Sequence, residues 1–254
     1  DVSKDNYQSI NIFFQNQKLK ENKHDFKEFI HFISKISENH QRKPFFFEKI
    51  EQILIIFKEE IHQNFTNLEL FNYFIHNKRI LLFLFQNQYL KADQSIANIL
   101  TNTKYFKRLY PHYLFNEIST FLNSKTRNEI HDAINNLYYN EEDIENMKKI
   151  GENDSYICQL IRNDLNNDFI SFVNHSNLPL STTIEPSIFE TNSFLIDKKP
   201  TLIEYAAFFG SIKIFKYLYL NDVELNSSLW LYAIHSRNPE IIHLLEECQV
   251  KPPN

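Results

Sequence analysis

Glycine is almost absent from this chain of 254 residues, which has two glycines, eight prolines, two cysteines and one tryptophan. So few turn-forming residues leave little material for the tight reversals of a β-sheet protein, and the sequence therefore predicts an all-α fold. A glycine-rich phosphate-binding loop is excluded as well, because its backbone must approach the phosphate closely. Aromatic residues are plentiful, with 24 Phe and 13 Tyr, so most of the chain can bury a core.

An excess of positive charge is also lacking. The formal net charge is −5, which argues against a general nucleic-acid-binding protein. No apolar run approaches the roughly 20 residues that a membrane-spanning helix needs, so we expect no membrane contact. Cys158 and Cys248 lie in apolar helical contexts. We interpret them as thiols of a cytoplasmic, intracellular protein, with a disulfide or a redox pair as the alternatives.

Residues 199–226 form one helical-hairpin repeat. Thr201 can cap a first helix, and Ala206 with Ala207 is small enough to let that helix pack closely on a neighbour. Gly210 supplies the left-handed residue that ends the helix and reverses the chain. A second helix follows, with its apolar stripe at Ile214, Phe215 and Leu218.

Two further copies flank this repeat. Residues 227–250 carry Ala233 at the alanine position, an offset of 233 − 206 = 27, and place Asn238 and Pro239 at the turn. Upstream, residues 155–177 are a degenerate copy with Leu160 at the alanine position, an offset of 206 − 160 = 46, and Asp164 at the glycine position. The longer offset predicts an insertion over residues 178–198.

Residues 1–150 predict irregular, stacked helical hairpins. Pro44 can begin a long helix that continues over residues 47–61. Residues 68–75 and 80–85 repeat the order of short helix, turn and apolar helix, with Leu81, Leu82 and Phe85 facing the core. Because such hairpins bury their apolar faces by stacking on neighbours, we expect one helical-hairpin solenoid that changes its repeat type between residues 150 and 151.

The pattern Thr-x-x-x-x-Ala-Ala-x-x-Gly resembles the ankyrin repeat. The run from about Ile157 to Glu247, with LIEYAAFFGSIKIFKYL and SLWLYAIHSRNPEIIHLLEE, resembles the domain of unknown function that precedes ankyrin repeats in the large ankyrin-protein families of trichomonad parasites. The resemblance implies an all-α module, ankyrin-like over residues 151–254, that binds proteins and has no catalytic residues. It also leads us to expect further ankyrin repeats after this segment.

Motifs for catalysis and metal binding are missing. The sequence has no G-x-S-x-G nucleophile elbow, no H-E-x-x-H and no paired C-x-x-C, so we expect neither an enzyme nor a cofactor. His235 and His243 are eight residues apart, but no third or fourth ligand stands at a recognisable spacing, so we expect no metal site.

The predicted function is therefore a non-catalytic protein-protein interaction module that binds a protein partner through the concave face of its repeats. The alternative is a structural spacer, or an N-terminal cap of a longer ankyrin array, with no partner of its own. Phe208 and Phe209 are adjacent and cannot both point inward, so one should be exposed; alternatively Phe208 packs under the insertion. The predicted contact residues are Glu204, Phe208, Asn226, Leu231, His235 and Ser236.

Overall fold

A computed structural model describes residues 22–38, 46–137 and 139–253. Over these residues the fold is all-α, as the sequence predicts, with seventeen α-helices and one short 3-10 helix. The β-type pairing described in these residues is an isolated antiparallel bridge between Thr183 and Thr201. The helix start expected at Pro44 lies outside the described residues.

The chain divides into two compact units, the first ending at Tyr139 and the second beginning at Asn140. The division lies upstream of the change between residues 150 and 151 that the sequence suggests, because the helix over residues 141–150 groups with the second unit.

Ten α-helices and the 3-10 helix lie in the described part of the N-terminal unit. Their bounds are α1 Lys23–Glu38, α2 Phe46–Ile56, α3 Lys58–Asn64, α4 Asn67–Phe74, α5 Lys78–Gln86, α6 Gln94–Leu100, α7 Thr103–Lys107, α8 Tyr110–Tyr113, α9 Phe115–Ile118 and α10 Ser124–Asn135, with the 3-10 helix at Ser119–Phe121. Helix α1 packs against α2 and α4, and α5 packs against α2 and α4. The predicted core positions Leu81, Leu82 and Phe85 are buried.

The long helix predicted over residues 47–61 is two helices. Phe57 separates α2 from α3, with a φ of −104° and a ψ of 20° that leave helical geometry. Its side chain is fully buried, and its ring centroid lies 5.6 Å from that of Phe26 and 5.4 Å from that of Phe29. The break thus places a large aromatic ring against α1, a tertiary contact that helical periodicity does not reveal.

Seven α-helices lie in the C-terminal unit, with residues 178–198 forming turns and loops between the third and the fourth. Their bounds are α11 Glu141–Ile150, α12 Tyr156–Arg162, α13 Asn166–His175, α14 Leu202–Phe209, α15 Ile212–Leu220, α16 Leu229–Ser236 and α17 Pro239–Glu247. Helices α12 to α17 form three consecutive hairpins. Helix α14 packs against both α12 and α16, and α15 packs against both α13 and α17, so the first helices form one layer and the second helices another.

The turn inside each of these hairpins contains one residue in the left-handed conformation. These residues are Asp164, Gly210 and Arg237, with φ values of 49°, 73° and 51°. Asp164 therefore stands where the sequence predicts. The third turn corrects the sequence interpretation: Arg237 takes the left-handed position, and Asn238 instead caps α17 by accepting a hydrogen bond from the backbone N–H of Glu240 at 3.0 Å.

The second helix of each hairpin also ends in the same way. Asn177, Asp222 and Gln249 adopt φ values of 50°, 59° and 54°. In each case the following N–H donates to the carbonyl five residues back, a closure that satisfies the last carbonyls of a helix. The three bonds measure 3.0, 3.2 and 3.0 Å and join Leu178 to Val173, Val223 to Leu218 and Val250 to Leu245. The second helices of the three hairpins therefore share one backbone closure.

Candidate protein-binding surface

The start of α14 is fixed by a capping box. The hydroxyl of Thr201 accepts a hydrogen bond from the N–H of Glu204 at 3.3 Å, and the carboxylate of Glu204 accepts from the N–H of Thr201 at 2.8 Å. The hydroxyl of Ser228, just before α16, donates to the same carboxylate. Glu204 therefore joins two hairpins and is 8% exposed. The bonds with Thr201 satisfy the start of α14.

Small residues let α14 pack tightly on both sides. Ala206 and Ala207 are fully buried. Gly210 ends the helix, and a Cβ atom added there would lie 3.4 Å from the Cβ atoms of both Ser236 and Asn238, in addition to the strain of its positive φ. The close contact between hairpins thus explains why these three positions hold small residues.

Hydrogen bonds connect the turn of each hairpin to the turn of the next. The carboxylate of Asp164 accepts from the N–H groups of Lys213 and Ile214 at 3.2 and 3.0 Å. Asn238 donates through Nδ2 to the carbonyl of Gly210 at 3.0 Å. The hydroxyl of Ser211 donates to the carbonyl of Ile161 at 2.5 Å. These bonds hold the three turns in a fixed register.

The insertion is held on the unit by buried polar contacts. The hydroxyl of Thr191 donates to the carbonyl of Gly151 at 2.7 Å. Glu190, which is 3% exposed, accepts from the N–H of Asn192 at 2.8 Å and of Asn153 at 3.4 Å. These contacts position the residues that follow, including Phe194, against α14 and α16.

Phe194 lies in a cluster formed by Phe208, Tyr232 and His235, which we call the aromatic cage. Its ring is stacked on that of Phe208, with centroids 5.7 Å apart and an angle of 7° between the planes. The centroid of Tyr232 lies 5.0 Å away and that of His235 4.3 Å away. The ammonium group of Lys198 lies 4.1 Å from the centroid of the Phe194 ring. Stacked, edge-on and cation–π contacts therefore meet at one ring.

The surroundings of the cage change the pKa values of two of its members. Partial burial lowers the pKa of His235, and the nearby Lys198 lowers it further. Burial raises the pKa of Tyr232 to about 12, with a smaller contribution from Glu204. Both side chains are therefore uncharged at neutral pH, which suits packing between aromatic rings.

The six predicted contact residues fall into three groups. Asn226, Leu231 and His235 are exposed, and Ser236 is half-buried. Glu204 and Phe208 are buried, at 8% and 5% exposure, by the capping contacts and by Phe194. The expectation that Phe208 or Phe209 is exposed is wrong, because Phe209 is half-buried. The alternative, that Phe208 packs under the insertion, is the arrangement found.

Ile234 is a further exposed residue of α16 that is not among the six contact residues predicted from the sequence. It lies one turn from Leu231 on α16, and the two are 62% and 41% exposed. By the offset of 27 between the copies, Ile234 is equivalent in sequence to the buried Ala207, and Leu231 is equivalent to the buried Glu204. Comparing the copies residue by residue could have indicated it, because a large apolar residue stands where the previous copy has alanine.

In the part of the chain that the structure describes, no group of three or more His, Cys, Asp and Glu side chains could hold a metal ion. Among the described helices, none has the length and apolar character needed to cross a bilayer. Cys158 and Cys248 are not joined in a disulfide, and burial raises the pKa of the Cys158 thiol to about 11, which makes it a poor nucleophile.

Comparison with known proteins gives no assignment: no family model, no curated protein and no solved structure matches this chain.

Proposed function

We propose that the C-terminal unit is an ankyrin-type stack of helical hairpins that serves as a non-catalytic protein-interaction module. Three features support this assignment: the alanine pair and the left-handed glycine of residues 199–226, the shared closures of the three hairpins, and the hydrogen bonds from turn to turn. Each favours rigid stacking, which suits a surface for binding proteins.

The N-terminal unit contains a related hairpin, α4 with α5. Thr66 and Glu69 form the same capping box that begins α14. Gln88 closes the hairpin with a φ of 64°, and the N–H of Tyr89 donates to the carbonyl of Leu84 at 2.9 Å, again five residues back. We extend the proposal of a hairpin repeat to this part of the chain.

The binding surface that we propose consists of Leu231, Ile234 and His235 on α16, with Asn226 before it. The observation that carries the proposal is the exposure of Leu231 and Ile234, two large apolar side chains one turn apart. Single exposed apolar residues are ordinary, but neighbouring ones beside polar groups are typical of contact sites. We propose an intracellular setting for the partner, because free thiols suit a reducing compartment.

A capture experiment with matched variants tests the proposal. The immobilised chain should retain a discrete protein, and Leu231→Ser with Ile234→Ser should weaken that binding roughly tenfold or more. Leu220→Ser is the control, because Leu220 is 76% exposed and lies at the end of α15, a different helix from the one that carries Leu231 and Ile234. Equal loss of the protein from both variants would show that the surface on α16 is not the binding site.

The same surface supports a second candidate, the spacer or cap of a longer array. Glu204, which corresponds to Leu231, is covered by contact with the start of the next hairpin, and Ala207, which corresponds to Ile234, is fully buried. A further hairpin could cover Leu231 and Ile234 in the same way. If the chain retains no protein, and a duplicate of residues 199–226 appended after residue 250 raises the melting temperature, the spacer is the better interpretation.

A further inference from the structure

The aromatic cage brings together helices from two different hairpins. Phe208 belongs to α14, whereas Tyr232 and His235 belong to α16. The ring that fills it comes from a third element, the insertion. Phe194 is half-buried and His235 is exposed, so the cage opens at the surface of the unit.

We infer that the aromatic cage is a recognition site for an aromatic side chain of a protein partner, and that Phe194 occupies it as an internal ligand. This inference rests on the proposed function and specifies the chemistry of the partner. The cage offers a flat ring for stacking in Phe208 and the hydroxyphenyl and imidazole rings of Tyr232 and His235 at its sides. A partner's phenylalanine or tyrosine would make the contacts that Phe194 makes now.

For a partner to enter the cage, the Phe194 ring has to leave it. The neighbouring Leu195 and Ile196 are buried, and their N–H groups donate to the carbonyl of Asn192 at 3.0 and 2.9 Å. Because these contacts hold the backbone of the insertion, entry of a partner requires the Phe194 ring to turn to another staggered rotamer while the backbone stays in place. Lys198 would then stand over the ring of the partner.

This arrangement makes the insertion a competitor of the partner. A partner segment gains the ring contacts of the cage only by replacing an equivalent set of contacts inside the chain. The affinity of the natural chain is thereby lowered, as for any site whose open state is a small fraction of the population. Removing the Phe194 ring should therefore strengthen binding, whereas removing a wall of the cage should weaken it.

A peptide from the insertion itself is a suitable probe. The labelled peptide TNSFLID, residues 191–197, carries Phe194 in its natural context. By fluorescence anisotropy, the Phe194→Ala chain should bind this peptide at least about tenfold more tightly than the natural chain does. The same peptide with alanine at the phenylalanine position should not bind. Adding His235→Ala to Phe194→Ala should abolish most of the increase in peptide affinity. Because His235 is exposed, this second substitution should leave the fold intact.

Two results would overturn the inference. One is equal peptide binding by the natural and the Phe194→Ala chains, which would mean that Phe194 does not compete with the peptide for the aromatic cage. The other is absence of binding by a Phe194→Ala chain with an unchanged circular dichroism spectrum. Phe194→Leu keeps most of the apolar volume and provides the same comparison if the alanine variant loses its helical signal.

Failure of this inference and failure of the proposed function can be distinguished. Leu231→Ser with Ile234→Ser leaves the residues of the cage unchanged. Protein capture that depends on Leu231 and Ile234, with no peptide bound by any variant, would retain the interaction module and reject the cage. Peptide binding without a captured protein would retain the cage and reject Leu231 and Ile234 as a binding surface.

Discussion

His112 is a buried histidine of the N-terminal unit whose imidazole lacks one polar contact. Among the described residues, its Nδ1 makes no hydrogen bond. Its ring centroid lies 5.5 Å from that of Phe106. Burial lowers the pKa of His112 to about 4, and the buried Lys78 adds to the effect. A proton on this ring would therefore be unfavourable in the folded chain.

Acid should destabilise the protein through His112. The unfolded chain takes up a proton near the ordinary pKa of 6.5 and the folded chain near 4, so the unfolded state binds more protons between these values. The free energy of unfolding should consequently fall as the pH is lowered from 6.5 to 4. His112→Phe should flatten this part of the profile, measured by urea denaturation at a series of pH values. An unchanged slope in the variant would assign the acid sensitivity to other groups.

Individual residues differ in how well the sequence reveals their roles. Ala206, Ala207 and Gly210 follow a known pattern, and each role depends on local geometry. Arg237 in a left-handed turn could not be inferred, because arginine has no special preference for that conformation. The burial of Phe208 depends on where the insertion places Phe194, a contact fixed by the fold of a loop.

At the scale of helices, Asp164 acts as a cap supplied from another hairpin. Helix α15 begins after Ser211, whose own side chain makes no capping hydrogen bond. The N–H groups of Lys213 and Ile214 instead donate hydrogen bonds to the carboxylate of Asp164, which lies in the turn of the preceding hairpin. A negative charge at a helix N-terminus stabilises the helix. The start of α15 is therefore stabilised by a residue of the neighbouring hairpin on which it is stacked.

Asp164→Ala should lower the free energy of unfolding by about 1–2 kcal/mol, because it leaves two N–H groups without their acceptor. Asp164→Asn is the matched variant: it keeps an oxygen acceptor and tolerates the left-handed backbone, so its loss should be clearly smaller. Chemical denaturation monitored by circular dichroism measures both. Equal losses would show that the carboxylate does not cap α15.

Helical periodicity predicts the existence of these elements better than their ends. The helix expected over residues 47–61 is interrupted at Phe57, whose ring packs against α1, and periodicity carries no information on such a partner. The three hairpins of the C-terminal unit are more readily inferred, because each left-handed turn residue lies four residues after the alanine position of its copy: 164 − 160, 210 − 206 and 237 − 233. The exposed pair Leu231 and Ile234 needed the structure, since exposure depends on what packs nearby.

At the scale of the whole molecule, each unit has its own internal contacts. A continuous buried cluster in the C-terminal unit extends from Cys158 to Leu245. Residues 140–254 alone should therefore show a helical circular dichroism spectrum and one cooperative thermal transition. A fragment of residues 140–225 is the control, since it lacks α16 and α17 and should lose that cooperativity. A gradual transition in the longer fragment would mean that it depends on the N-terminal unit.

The two ends of each hairpin differ in how much change of length they accept. The offsets of 46 and 27 residues between successive copies differ almost entirely in the segments that connect one hairpin to the next. From the closing residue to the next alanine position, these segments span 206 − 177 = 29 and 233 − 222 = 11 residues. The turns inside the hairpins are tied to each other by Asp164, Ser211 and Asn238, so an added residue there would break bonds to a neighbour. For protein engineering, a foreign loop should therefore be grafted between Asp222 and Ser227, the connection that corresponds to the natural insertion.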